Sequence, residues 1–348
     1  MSERRGSPPP AVEVPPAMKE AAVAGGRTRA PSVSVHAYAV HVPGADARET
    51  GGAAVPGESM CSAEEAQQVL GRKGLLMKEP ATRLALCAVH RALGLPAGKL
   101  DGPLPLADRT AVVVSSNLGN LRTACAIAAA AGREDFRVVS PLETPNVSSN
   151  VIASTIALRY GFTGPNVMVC NGATSGLDAV RLGARLIRAG RAERVVVVGA
   201  EPEDEVARAL AGSRDRRTYG GRDLPALRAA AACVVLGRAG AGGQDAGPRS
   251  AVLGDGGTLP PGARVPAGHR GLTFSPYGTA DESDSVVDLT ARLGETYGAL
   301  GVLQVAAAAA RIGRGDADGA RVACGDAVEG YAWLDLDLDL AVAGDVIA

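Results

Sequence analysis

The chain has 348 residues, 46% of them hydrophobic, with 36 Lys and Arg against 37 Asp and Glu. That supplies one large core or two fused halves, and the even charge balance gives no sign of nucleic acid or a membrane surface as partner. No apolar run is long enough to span a bilayer and the N-terminus lacks the apolar stretch of a signal peptide, so a cytoplasmic protein is expected. Cys61, Cys87, Cys125, Cys170, Cys233 and Cys324 are scattered, without the paired spacing of a zinc site or the density of a disulfide scaffold. Reduced, mostly buried thiols are expected, with no metal and no cofactor.

Residues 1–31, with Ser7-Pro8-Pro9-Pro10, Pro15-Pro16 and few apolar groups, read as a disordered tail. A first strand runs from 33 to 42 and stops at Pro43-Gly44, and Val112, Val113 and Val114 mark another. Asn166, Val167, Met168, Val169 and Cys170 read as a short buried strand, followed by a tight polar turn over 171–176. Leu177, Val180, Ala184 and Ile187 then recur at helical spacing, with Ser175 as N-cap, Asp178 as its capping-box partner and Gly190 as the stop. A strand follows at once, from Arg194 to Glu201, and the charged stretch 201–222 reads as an exposed loop or helix.

The segment 240–271 is rich in Gly and Pro and carries little periodicity beyond a short strand at 250–253. Its Gly254-Asp255-Gly256-Gly257 reads as a turn, since no P-loop Lys follows. Beyond it come a strand at 286–289, a buried Ala-rich helix at 298–312, and strands at 320–323 and 331–338. The alternation Leu334-Asp335-Leu336-Asp337-Leu338 is that of an amphipathic strand with one wet face.

The strand-turn-helix-strand unit at 166–201 points its turn at the positive end of a helix, where free N–H groups stabilise a thiolate or an oxyanion. At the third place of Asn171-Gly172-Ala173-Thr174-Ser175-Gly176 stands Ala173, which offers no nucleophile. This turn, with Val198-Gly199-Ala200-Glu201 behind it, resembles the elbow of the β-ketoacyl synthases of the thiolase superfamily, which usually carry Cys at that place. Gly164-Pro165, Ser140-Pro141-Leu142-Glu143-Thr144-Pro145-Asn146 and Leu70-Gly71-Arg72-Lys73-Gly74-Leu75 extend the likeness. Gly294-Glu295-Thr296-Tyr297-Gly298-Ala299-Leu300-Gly301 resembles the family's Gly-His-Thr-x-Gly-Ala-Ala-Gly. The resemblance implies an α/β thiolase-like fold of two similar mixed-sheet halves sandwiching buried helices in layers, here 32–238 and a shortened 239–348.

Decarboxylating condensation needs a Cys thiolate and two His side chains. By the resemblance, Ala173 holds the Cys position and Glu295 one His position. For the other, the nearest likeness is Tyr277-Gly278-Thr279, closer to Glu295 than the family spacing allows. His36, His41, His90 and His269 all fall outside the matched catalytic positions, so no condensing activity is expected of this chain alone. With Gly176-Leu177-Asp178-Ala179 continuing its elbow, it resembles the chain length factors of type II polyketide synthases.

That resemblance implies a heterodimer with an active ketosynthase, acting on chains carried by an acyl carrier protein. The edge strand Asn166, Val167, Met168, Val169 and Cys170 would pair across the interface. Leu118, Leu121 and Cys125, spaced for one helical face, would floor the acyl tunnel, the alternative being ordinary core residues of a buried helix. Only three Phe and six Tyr favour a linear, reduced product. Two other functions stay open. A ketosynthase-like decarboxylase acting on carrier thioesters would have Gln at the nucleophile place and both His. An acyltransferase or hydrolase using Ser175 has its Ser at the wrong place for a Gly-x-Ser-x-Gly elbow. Cys170 as a displaced nucleophile is weighed against a buried strand end, where a thiol resists ionisation. Glu295 is read as a solvated or paired carboxylate, against a role as acid, base or partner contact.

Overall fold

The computed structural model describes residues 31–339 except 55–59, 99, 101, 103, 134–136, 138, 214–224, 241–248, 267–271 and 277–285. The tail expected over 1–31, apart from its last residue, lies outside the described residues, as do Tyr277, Gly278, Thr279 and His269. The elements in the first part of the chain are β1 (Val33–His41), α1 (Gln67–Leu70), α2 (Pro80–Ala92), β2 (Thr110–Ser115), α3 (Leu121–Gly132), α4 (Val151–Tyr160), β3 (Asn166–Val169), α5 (Ser175–Arg188), β4 (Arg194–Glu201), α6 (Glu205–Gly212) and β5 (Ala230–Arg238). Then come β6 (Ala251–Leu259), β7 (Thr273–Phe274), β8 (Val286–Val287), α7 (Leu289–Leu293), α8 (Leu300–Arg314), β9 (Gly319–Asp326) and β10 (Gly330–Leu338).

The strands form one sheet in the order β3-β2-β4-β5-β1-β6-β10-β9-β7-β8. It contains one arrangement twice, β3-β2-β4-β5-β1 and β8-β7-β9-β10-β6. Counted along the chain, the second strand of each set pairs in parallel with the third and fourth, and the fifth pairs antiparallel with the fourth and first. The sets join where Ser34 and Val35 meet Val252 and Ala251. Part of the duplication holds residue by residue. Adding 125 carries Ser175 onto Leu300, Gly176 onto Gly301, Arg194 onto Gly319 and Glu201 onto Asp326, so α5–β4 and α8–β9 are copies of one unit.

Helices α2 and α4 cover one face of the first set, and α5 and α8 cover the other. Alternation along β4 separates the two cores: Val196 and Val198 join the first, Val195 and Val197 the second, which also takes in β6, β9 and β10. Helix α8 fits between the two sets because residues 300–310 are all buried and end in five consecutive alanines, Ala306 to Ala310. Its first turn meets that of α5 at a glycine pair; a Cβ on Gly301 would stand 2.6 Å from the Leu177 nitrogen, and one on Gly176 2.8 Å from the Gly301 nitrogen.

Several local expectations change in the second half. Strand β8 is two residues long, and Asp288 does not continue it but caps α7, accepting from the Ala291 N–H at 2.9 Å. The expected turn at Gly254-Asp255-Gly256-Gly257 is the middle of β6, which runs well past residue 253. Glycine is required there because β10 crosses closely: a Cβ on Gly256 would lie 2.9 Å from the Trp333 carbonyl oxygen, and one on Gly257 2.9 Å from the indole nitrogen. Nor is Asp335 on a wet face. It is 5% exposed and accepts from Arg321 Nε and Nη2 at 2.7 and 2.9 Å, under a guanidinium 4.4 Å from the Trp333 ring centre.

Candidate functional site: two facing elbows

At the end of β3 the chain turns through the 3₁₀ segment Gly172–Thr174 into α5, with Gly172 at φ 80°. Ser175 is the first residue of α5, and Thr174, in a helical conformation, holds the cap position without a side-chain cap bond. The expected Ser175–Asp178 capping box is therefore not formed. Ser175 Oγ is buried and donates to the Gly172 carbonyl at 2.7 Å, while Asp178 accepts from Thr174 Oγ1 at 2.8 Å and Asn171 Nδ2 at 2.5 Å. A hydroxyl spent on its own turn is poorly placed as a nucleophile, and His36, His41 and His90 are bonded elsewhere, to Arg238, Cys61 and Pro96 carbonyls.

The second elbow, the 3₁₀ segment Tyr297–Ala299 leading into α8, faces the first. Tyr297, the counterpart of Gly172, has φ 41° and so holds a bulky side chain in the left-handed region. Glu295 is 3% exposed, so it is not a solvated carboxylate. Its Oε1 accepts from the Tyr297 N–H at 2.6 Å, and its backbone pairs with Ala226 and Arg228 at 2.9 and 2.8 Å.

Glu201 and Asn117 join the elbows. Asn117 Nδ2 donates to the Gly172 carbonyl at 3.1 Å and its Oδ1 accepts from the Gly172 N–H at 3.0 Å. Glu201 is fully buried at the end of β4 and accepts from the backbone of Asn117 at 2.7 Å, Leu118 at 3.0 Å and Gly298 at 3.1 Å, and from Ser116 Oγ at 3.3 Å. Burial is the largest influence on this carboxyl and pushes it up to about 7, against the pull of those same donors. In the sequence Glu201 is only the last letter of a strand motif; nothing local marks it as the bridge between two turns. Glu329, also unmarked, reaches the first elbow from the β9–β10 loop, where its Oε2 accepts from the Ala173 N–H at 2.6 Å.

Leu118 lies ahead of α3 rather than on it, buried with Ala207, Ala211 and Leu227. Leu121 and Tyr297 pack on that cluster, whereas Cys125 is exposed. The three residues thus share no single helical face. Helix α3 is pinned through Thr123, whose N–H donates to the buried Glu79 at 3.1 Å, and through Asn120 Nδ2 on the Val147 carbonyl at 3.0 Å. Outward it presents Cys125, Ala126, Ala128 and Ala129 to solvent. In β3, Asn166, Val167, Met168 and Val169 are each half-buried, not fully buried as expected, because β3 is an edge strand paired with β2 alone among the described strands. Cys170 is exposed, which the expectation of a buried strand end missed, yet its thiol is raised by partial desolvation first and by Glu201 second.

Two cysteines far apart in sequence do meet. Cys61, Cys87 and His41 are buried with their ligand atoms within 4.8 Å of one another. Burial raises both thiols, Cys87 to about 12, and lowers His41 to about 4.

A duplicated half with a turn-and-helix elbow in each copy defines the thiolase-like ketosynthase class. The chain belongs to the β-ketoacyl synthase family, whose N-terminal domain it matches over residues 45–239. The ishigamide ketosynthase/chain length factor is similar at a TM-score of 0.63 and 20% identity, over 88% of this chain and 99% of that one. AntDE:AntF, a type II polyketide synthase acyl-carrier protein in complex with its ketosynthase, is similar at 0.64 and 14% identity over the same shares, 88% and 99%. In sequence, 3-oxoacyl-(acyl-carrier-protein) synthase 2 of Vibrio harveyi is 34% identical over 95 residues, 27% of this chain but only 23% of that enzyme. Among the described residues no helix is long and apolar enough to cross a membrane.

Proposed function

We propose that this chain is a chain length factor: a ketosynthase-like subunit that does not condense, pairs with an active ketosynthase, and shapes the tunnel that holds a growing chain delivered by an acyl carrier protein. The observation that carries the reading is Ala173, 8% exposed, at the place in the elbow where the family's nucleophile stands. A methyl group can form no acyl-enzyme, and the described histidines lie outside the elbows. The pairing surface in this reading is β3 with Cys170, together with the exposed apolar side of α3. An open strand edge and an exposed apolar face each favour burial against a partner. Leu118 and Leu121 would line the tunnel from inside this chain, and Cys125 would complete it from α3 at the interface. The product is linear and reduced in this reading. The division into 32–238 and a shortened 239–348 is part of it, since among the described residues α7 and α8 are the α-helices that follow residue 239.

The test is product length. Co-expressed with its ketosynthase and carrier protein, Leu118→Phe or Cys125→Phe should shift the products to chains shorter by at least one extension unit while the complex survives. Unchanged lengths with an intact complex would remove these residues from the tunnel. A decarboxylase is the weaker reading, because Ala173 also lacks the amide that such relatives carry.

A further inference from the structure

We propose that Glu329 is the permanent occupant of the first elbow, so that this chain closes with its own carboxylate the position at the Ala173 N–H that a thiolate or an acyl carbonyl oxygen would need. The carboxylate accepts from Ala173 at 2.6 Å and lies over Gly172, where a Cβ would run into it. Glu329 itself is exposed, so it stands between bulk water and the buried Ala173. Its loop is held from behind by Asp326, 1% exposed, whose Oδ1 accepts from the Val328 and Glu329 N–H groups at 2.8 and 2.7 Å. Gly325 and Gly330 flank the loop at φ 129° and 89°.

The duplication supplies an independent argument. Ala173 plus 125 is Gly298, and the Gly298 N–H donates to the same kind of partner, the Glu201 carboxylate, from the fourth strand of the other half. The residue of β9 equivalent to Glu201 is Asp326, one methylene shorter, and it turns back on its own loop. Glu329, three residues on, makes the crossing instead. Each elbow is thus sealed by a carboxylate from the opposite half, Glu201 at the second and Glu329 at the first.

This inference rests on the elbow geometry and needs no partner or product. The test restores the thiol in the full chain as Ala173→Cys, then compares it with Ala173→Cys/Glu329→Gln and Ala173→Cys/Glu329→Ala. Iodoacetamide alkylation at residue 173 is followed against pH by peptide mass spectrometry, which separates it from Cys125 and Cys170. Asp178 and Glu201, the other carboxylates around the turn, are the same in all three. With Glu329 present the thiol should titrate above the ordinary Cys value; Gln should lower its pKa by about one unit or more and speed alkylation near pH 7 about tenfold, and Ala should speed it further. Equal rates and pKa values in the three chains would overturn the proposal. Should the Cys variants not fold, Glu329→Ala alone serves: acetate, against matched chloride, should raise its melting temperature and not that of the parent, and no acetate effect would overturn the proposal.

Discussion

The two elbows are copies of one unit, and what each has become differs. The second is internal: Tyr297 holds a left-handed backbone, Glu295 binds its own turn, and the carboxylate that completes it, Glu201, is sealed in the core. The first keeps the shape of a reactive turn, with Gly172 left-handed and N–H groups at a helix start, but Ala173 removes the nucleophile and an exposed Glu329 takes its place. One copy is internal throughout, while the other carries a methyl group at its turn and an exposed carboxylate over it. The elbow serves here as a joint between halves.

If the joint is what matters, the glycine pair is its most sensitive point. Gly301→Val should cost about 3 kcal/mol or more in denaturant unfolding, because the clash is with backbone that cannot step aside. A loss well under 1 kcal/mol would mean the helices do not meet there.

The buried carboxylate separates the elbows by pH. Glu201 rises from 4.5 to about 7, so its contribution favours the folded chain below pH 4.5 and is lost as pH climbs to 7, a change of about 3 kcal/mol at most. His41, lowered from 6.5 to about 4, acts in the opposite sense, with stability lost as pH falls through that window. The two slopes offset each other in the parent. In Glu201→Gln the slope of His41, joined by His36 and His90, which burial also lowers, is no longer opposed by Glu201, so unfolding free energy should climb more steeply between pH 4 and 6.5, although an amide facing backbone donors lowers the whole curve. An unchanged slope would contradict the buried ionisable bridge.

The smallest expected effect is the sharpest for the first elbow. Gly172→Ala should cost about 2 kcal/mol, from left-handed strain and from crowding Glu329, and about 1 kcal/mol less in a Glu329→Ala background. Strict additivity would mean that the carboxylate does not press on Gly172.

Much of the first elbow was legible in the sequence because its signals are local: an apolar strand, a glycine turn, a helix at regular spacing and the strand behind it. The site residues that decide its state were not. Glu201 becomes a bridge only because β4 ends between two turns, and Glu329 matters only because the β9–β10 loop folds across to residue 173. The repeat itself is hidden, since Gly172 has become Tyr297 and the polar face of α5 has become the alanines of α8. In β10 the alternation around Asp335 fits a wet strand equally well; Arg321, on the neighbouring strand, makes it a buried one.

The proposed pairing with a catalytic subunit is read most directly from the mass of what the chain forms. Tagged and co-expressed with a candidate type II ketosynthase, the purified species should show by size exclusion with light scattering the mass of a one-to-one heterodimer. A homodimer or monomer that leaves the ketosynthase behind would contradict the account.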